Sequence, residues 1–195
     1  MAKAMSGQKT VTPSAESLAA SINAAKSHGL PPVHLWNPPF CGDLDMRIAR
    51  DGTWFYEGTP IGRPGLVKLF SSILKKEGED YFLVTPVEKV GITVDDAPFV
   101  AIDFEVRGSG VDQVLKFFTH VDDSAVASAD LPIRVERDPE TGEPSPYVRV
   151  RSNLDALIDR KSFYRLVDLG VHHEGWFGLW SSGTFFPVIP SADLP

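Results

Sequence analysis

Two stretches of this chain read as copies of each other, and a duplicated unit narrows the possible folds more than any single motif does. Met46-Arg47-Ile48-Ala49-Arg50-Asp51 aligns with Ile133-Arg134-Val135-Glu136-Arg137-Asp138. Ile61-Gly62-Arg63-Pro64-Gly65-Leu66-Val67-Lys68-Leu69-Phe70 aligns with Ile158-Asp159-Arg160-Lys161-Ser162-Phe163-Tyr164-Arg165-Leu166-Val167. The offset is 87 positions for the first pair and 97 for the second, which one ten-residue insertion in the turn at 139–146 reconciles. Two matches in the same order, separated by one gap in a Pro-rich loop, point to a duplicated unit. Such units build a pseudo-symmetric pair with a groove between them.

A chain of 195 residues suffices for one domain or two small ones. Apolar residues at 43% and charged residues at 23% are near globular averages. The 16 prolines and 16 glycines are spread along the chain, so the expectation is an α+β fold of short elements rather than disorder. The single cysteine, Cys41, excludes an intramolecular disulfide and fits a reducing compartment. No apolar run approaches bilayer-spanning length, and residues 1–11 lack the apolar centre of a secretory signal. The expected setting is therefore cytoplasmic, with no membrane partner. A net charge of −7 argues against a nucleic-acid polymer as partner. It leaves room for a small anion, because a few local arginines outweigh a screened distant field.

The expected organisation is a tail and helix over 1–30, a first α+β unit over 31–97 and a second over 98–195. Thr12 is the expected N-cap, with Pro13 as first helical residue, of an Ala-rich helix over 14–28 that Gly29 stops. Residues 31–41 form a Pro-rich lead-in. Strands at 46–50 and 53–56 flank Asp51-Gly52, a hairpin signal. A helix is predicted over 64–76, where Leu66, Val67, Phe70, Ile73 and Leu74 fall on one stripe. Strands follow at 81–84 and 91–94. Strands over 98–106 and 111–121 flank Gly108-Ser109-Gly110. The second copy runs through strands at 133–137 and 147–151, a helix over 159–169 and strands at 175–180 and 184–189. Each copy thus has the order β-β-α-β-β, and the helix at 14–28 precedes both.

Several motifs together resemble one family. They are Cys41-Gly42, Asp51-Gly52-Thr53-Trp54-Phe55-Tyr56, Pro60-Ile61-Gly62-Arg63, Thr85-Pro86-Val87-Glu88-Lys89 and Asp96-Ala97-Pro98-Phe99. With Leu66-Val67-Lys68-Leu69-Phe70 and the run from Gly175 to Gly183, the chain resembles the domain of unknown function 1285 family over residues 32–190. The resemblance implies a duplicated α+β core whose carboxy-terminal domain is loosely similar to pleckstrin-homology folds. It also implies a groove suspected of binding a nucleotide-like ligand, with a role in signalling, and carries over no catalytic activity. Thr119-His120 departs from the asparagine expected after that threonine.

Arg63 and Arg160 are equivalent positions at the two helix starts, where free backbone N–H groups favour an anion. A guanidinium there can clamp phosphate or carboxylate, or can tie the helix start to a carboxylate such as Glu88 or Asp159. Thr85, Glu88 and Lys89 surround Pro86 at a strand end, where a broken ladder can line a groove or form a kinked edge with a weak surface ion pair. Trp54, Trp176 and Trp180 can stack on a base or fill the core. Trp36 and Asn37 sit in a loop setting, and Ser181 opens a polar turn able to cradle an anion or to close a plain hairpin. Adjacent His172 and His173 point apart in either regular structure, so no metal site is expected. Nothing aims a base at Cys41, and no nucleophile, catalytic residue or cofactor is expected.

The favoured reading is a non-enzymatic protein that binds a small anionic, nucleotide-like ligand between duplicated units, with a possible protein partner in signalling. A protein-interaction module around residues 176–186 is the alternative, and a nucleotide-acting enzyme the outsider.

Overall fold

The computed structural model describes residues 12–24 and 29–194. Its first helix, α1 (Ala15–Ala24), buries Ala15, Leu18 and Ile22 along one face. Ser14 caps it: Ser14 Oγ accepts the Ser17 N–H at 3.1 Å, and Ser17 Oγ accepts the Ser14 N–H at 3.1 Å. The cap therefore falls two residues after the expected Thr12, because two serines can satisfy each other's amides. The expected end of this helix at 25–28 lies outside the described residues.

The first copy comprises β1 (Phe40–Ile48), β2 (Trp54–Tyr56), β3 (Thr59–Pro60), α2 (Pro64–Ser71), β4 (Leu74–Glu77), β5 (Asp80–Val84) and β6 (Lys89–Val94). Three strands follow: β7 (Phe99–Arg107), β8 (Val114–Thr119) and β9 (Ser124–Val126). The second copy repeats the order as β10 (Ile133–Arg137), β11 (Pro144–Arg151), β12 (Leu154–Ile158), α3 (Arg160–Val167), β13 (Val171–His173), β14 (Trp176–Ser181) and β15 (Thr184–Pro190). The fold is α+β with an internal duplication, and each copy carries three strands on either side of its helix rather than two.

The order of elements is duplicated but the sheet assembly is not. Strands of the first copy form one six-stranded sheet, β3-β2-β1-β6-β5-β4. In the second copy β12 pairs in parallel with β7, giving β10-β11-β12-β7-β8-β9, and β13-β14-β15 form a separate three-stranded sheet. The residues that separate the copies supply those extra partners. The extra length of the second copy also goes into strands, β11 having eight residues against three in β2, rather than into the turn alone.

The stripe predicted as one helix over 64–76 is a helix followed by a strand. Phe70, Ile73 and Leu74 are buried as that stripe requires. However, Ser72 and Ile73 close the helix with short bonds to Leu69 and Phe70, and Leu74 pairs with Leu83 in the β4–β5 hairpin. Tertiary pairing overrides helical propensity here. The Asp51-Gly52 turn also differs in detail from a two-residue hairpin. Only Gly52 has positive φ, at 88°, and Ala49 N–H bonds Thr53 O at 2.9 Å across a three-residue loop.

By contacts the chain divides into two compact units, residues 1–45 with 69–92 and residues 46–68 with 93–195. The first buries Leu18, Ile22, Phe70, Ile73, Leu83 and Val90. In the second, β8 alternates strictly, burying Leu115, Phe117 and Thr119. Trp54, Phe99, Leu154, Ile158 and Leu166 are also buried there, and α3 lies against β7 and β14.

Candidate functional site

A cleft of about 390 Å³ opens within the second unit, between the β10–β11 hairpin, the end of β12 and the start of α3. That volume is in the range of small-molecule sites. Its inner wall is apolar, with Ile158 and Phe163 buried and Pro144, Pro146 and Leu157 beside them. Its charged lining is mixed, with the exposed Arg50, Arg160 and Glu143 and the half-buried Asp159, and Tyr164 stands 62% exposed beside them.

Each arginine is held by local structure. Arg50 belongs to the β1–β2 loop, where Asp51 accepts the Thr53 N–H at 2.9 Å. That bond holds the Asp51 carboxyl below its ordinary range. Arg50 Nη2 donates to Ser145 Oγ at 3.0 Å, and Nη1 lies 3.2 Å from Asp96. Asp96 in turn accepts the Tyr147 hydroxyl at 2.7 Å. Burial and the neighbouring Asp96 push the Tyr147 phenol up to about 12, so it stays a donor at any physiological pH. Arg160 opens α3 just after the N-cap Asp159, whose carboxylate accepts the Ser162 N–H at 2.8 Å. Its Nη2 donates to Glu143 at 2.8 Å across an exposed pair. A guanidinium has five donors, so both arginines keep some to offer. The arrangement suits a molecule with an apolar body and an anionic end.

The first unit has a second cleft, of about 410 Å³. Lys89 lines it but is engaged, donating to Glu77 at 2.9 Å and lying 4.8 Å above the Phe82 ring. Asp43 folds onto Gly91, where an added Cβ would stand 2.1 Å from its carboxylate oxygen.

The nine sequence candidates are divided between the two units. Trp36, Asn37, Thr85, Glu88 and Lys89 belong to the first unit, and Trp54, Arg63, Arg160 and Ser181 to the second. Of these, Arg160 alone lines the cleft between α3 and the β10–β11 hairpin. Trp54 is 1% exposed, so its ring fills the core and cannot stack on a ligand. Arg63 caps α2 through its backbone carbonyl, which accepts the Leu66 and Val67 N–H groups, and its exposed side chain pairs with no carboxylate of the described residues. Ser181 is buried, accepting the Leu115 N–H at 2.9 Å and donating to Ala127 O at 2.7 Å. It braces β14 against β8 and β9, and the turn is a hairpin at Ser182 and Gly183, both with positive φ.

Thr85 is also buried, and its Oγ accepts the N–H groups of Val87 at 3.3 Å and Glu88 at 3.2 Å. It closes its own turn rather than facing a groove. Half-buried Glu88 has its carboxyl pushed up by burial. Trp36 is half-exposed after the 3-10 turn Val33–Leu35, and Asn37 is exposed. His173 packs against the Trp180 and Phe185 rings, each 4.9 Å away, while His172 bonds Ser191 Oγ at 2.8 Å. Among the described residues no group of three or more His, Cys, Asp or Glu could hold a metal ion. Arg50, Ser145 and Phe163 are not site candidates from the sequence because they meet only through tertiary structure; the signal nearest to them is Arg50 beside the Asp51-Gly52 turn.

Profiles for the N-terminal and C-terminal domains of a family of unknown function, DUF1285, match residues 31–97 and 98–188. A crystal structure of a DUF1285 family protein from Silicibacter pomeroyi DSS-3 is 69% identical, with a TM-score of 0.85 over 90% of this chain and 96% of that one. The chain belongs to the DUF1285 family. A second DUF1285 family protein, from Shewanella baltica OS155, is 30% identical, with a TM-score of 0.52 over 64% of this chain and 91% of that one. No curated protein matches the chain. Among the described residues no helix is long and apolar enough to cross a membrane.

Proposed function

We propose that this DUF1285 protein binds a small amphipathic anion, of the size and charge of a nucleoside monophosphate, in the cleft of its second unit. The observation that carries the reading is the pairing of two arginines from different elements, Arg50 and Arg160, on the rim of one apolar cleft. The anionic group lies between the guanidiniums, displacing Glu143 from Arg160, and Phe163 and Tyr164 flank the apolar body. The groove implied by family resemblance lies between domains, whereas this cleft is contained in one unit. A signalling role follows if binding is reversible and changes the affinity for a partner.

A thermal-shift screen against nucleotides tests the reading, with Arg160→Ala and Arg50→Ala alongside. Ligand at a hundred times its Kd adds about 2.7 kcal/mol. For a chain of this size that is a rise of about 5–10 °C, which both variants should lose. A rise unchanged in both variants, or no rise with any nucleotide, contradicts it. One feature favours the protein-interaction reading instead: Val171 and Trp176, on β13 and β14, are 39% and 43% exposed. A stoichiometric partner lost on Trp176→Ala would support that reading.

A further inference from the structure

The cleft takes Arg50 from a loop that one imidazole holds in place. His120 follows β8, and its backbone N–H donates to Val100 O at 3.0 Å. Its Nδ1 accepts the Val100 N–H at 3.2 Å, while Nε2 lies 3.1 Å from the Gly52 carbonyl oxygen. An amide N–H can only donate, so Nδ1 is bare and Nε2 carries the hydrogen that Gly52 accepts. The fit is close: a Cβ on Gly52 would stand 3.0 Å from Nε2 and 3.1 Å from the Val100 side chain. Gly52 closes the three-residue loop that Arg50 opens, and its N–H bonds Ala49 O at 2.9 Å.

An imidazolium cannot keep this arrangement. A proton on Nδ1 would confront the Val100 N–H, and the charge would sit in a half-buried place. The hairpin contributes one opposing charge, Asp51, and β7 contributes the uncharged Val100. On the turn after His120, Asp122 is engaged by Lys68 and Asp123 by Arg151. Burial outweighs Asp51, and the ring is held below its ordinary pKa.

We propose that His120 is a positioning residue for Arg50, its neutral ring latching the β1–β2 loop so that the cleft binds anions at neutral pH and releases them in acid. This rests on the cleft being an anion site.

The test is binding of 3′,5′-cyclic AMP, whose phosphodiester keeps one charge throughout, from pH 7.5 to 5.0. It compares wild type, His120→Asn and His120→Ala by calorimetry, with NMR of the imidazole and of the Gly52 and Val100 amides. Wild-type affinity is expected to fall by up to about tenfold for each pH unit below the pKa of the ring, as the competent fraction falls. Asparagine offers one donor and one acceptor without titrating, so it should keep binding within about threefold of wild type and flatten the profile. Alanine should weaken binding at every pH. Equal pH slopes in wild type and His120→Asn would overturn the latch. If the probe binds none of the proteins, the reading of the cleft fails for this ligand class and the latch is judged by NMR. Gly52 and Val100 amides that titrate with the ring then uphold it, and amides that do not titrate overturn it.

Discussion

Ser181, Thr85 and His120 show how single polar side chains are used in this protein. Each is turned inward on backbone groups that would otherwise be orphaned. Replacing Ser181 by Ala strands the buried Leu115 N–H, whereas Ala127 O keeps the Ser182 hydroxyl at 2.9 Å. The expected cost is about 1–3 kcal/mol, read from the urea midpoint. His120 makes stability depend on pH in a definite sense. Its folded-state pKa is lowered, so below about 6.5 the unfolded chain binds more protons. The contribution is therefore complete above the unfolded value and lost as pH falls through the folded one. Denaturant midpoints at pH 7.5 and 5.5 should differ more for wild type than for His120→Asn, and equal differences would contradict this sign. Sequence reading could name these residues but not their partners. Ser181 bonds groups 54 and 66 positions away, and no local pattern records such distances.

At the scale of elements, the clearest sequence signals held and the ambiguous ones did not. Strands at β5, β8, β14 and β15 and the helix α3 follow from alternation, turns and an amphipathic stripe. β4 was hidden because Ile73 and Leu74 continue the helical stripe of α2 while being buried by strand pairing. β12 was missed because the run from Leu154 to Ile158 is short and closely joined to the following helix. Caps and glycines give direct tests. Asp159→Ala removes the side-chain cap of α3 and should cost about 1 kcal/mol. Gly65 lies within α2 with nothing within 4 Å of an added Cβ, so Gly65→Ala should stabilise by about 0.4–1 kcal/mol. At Gly178 the same atom would stand 2.3 Å from the Phe186 carbonyl oxygen, so Gly178→Ala should destabilise by about 1–3 kcal/mol. Melting temperatures of Gly65→Ala and Gly178→Ala moving in the same direction would contradict the β14–β15 packing.

Across the whole molecule, duplication was legible and its consequence was not. The aligned segments, from Met46 with Ile133 to Phe70 with Val167, identify equivalent strands and helices. They cannot tell that β12 will choose β7 as its parallel neighbour, because strand choice between distant segments is settled by burial across the whole sheet. That choice breaks the symmetry between copies. The end of β12 and the start of α3 lie beside the β10–β11 hairpin through the β11–β12 pairing, and the cleft opens there. Arg63 and Arg160, equivalent in the sequence, consequently differ in setting, and only the second lines that cleft.

An amide NMR titration of the whole protein with adenosine monophosphate at pH 7.5 tests the anion cleft most directly. The expected result is a saturable set of shifts centred on Glu143, Ser145, residues 157–164 and Arg50, lost in Arg160→Ala. Shifts centred elsewhere, or a spectrum unchanged at millimolar nucleotide, would contradict it.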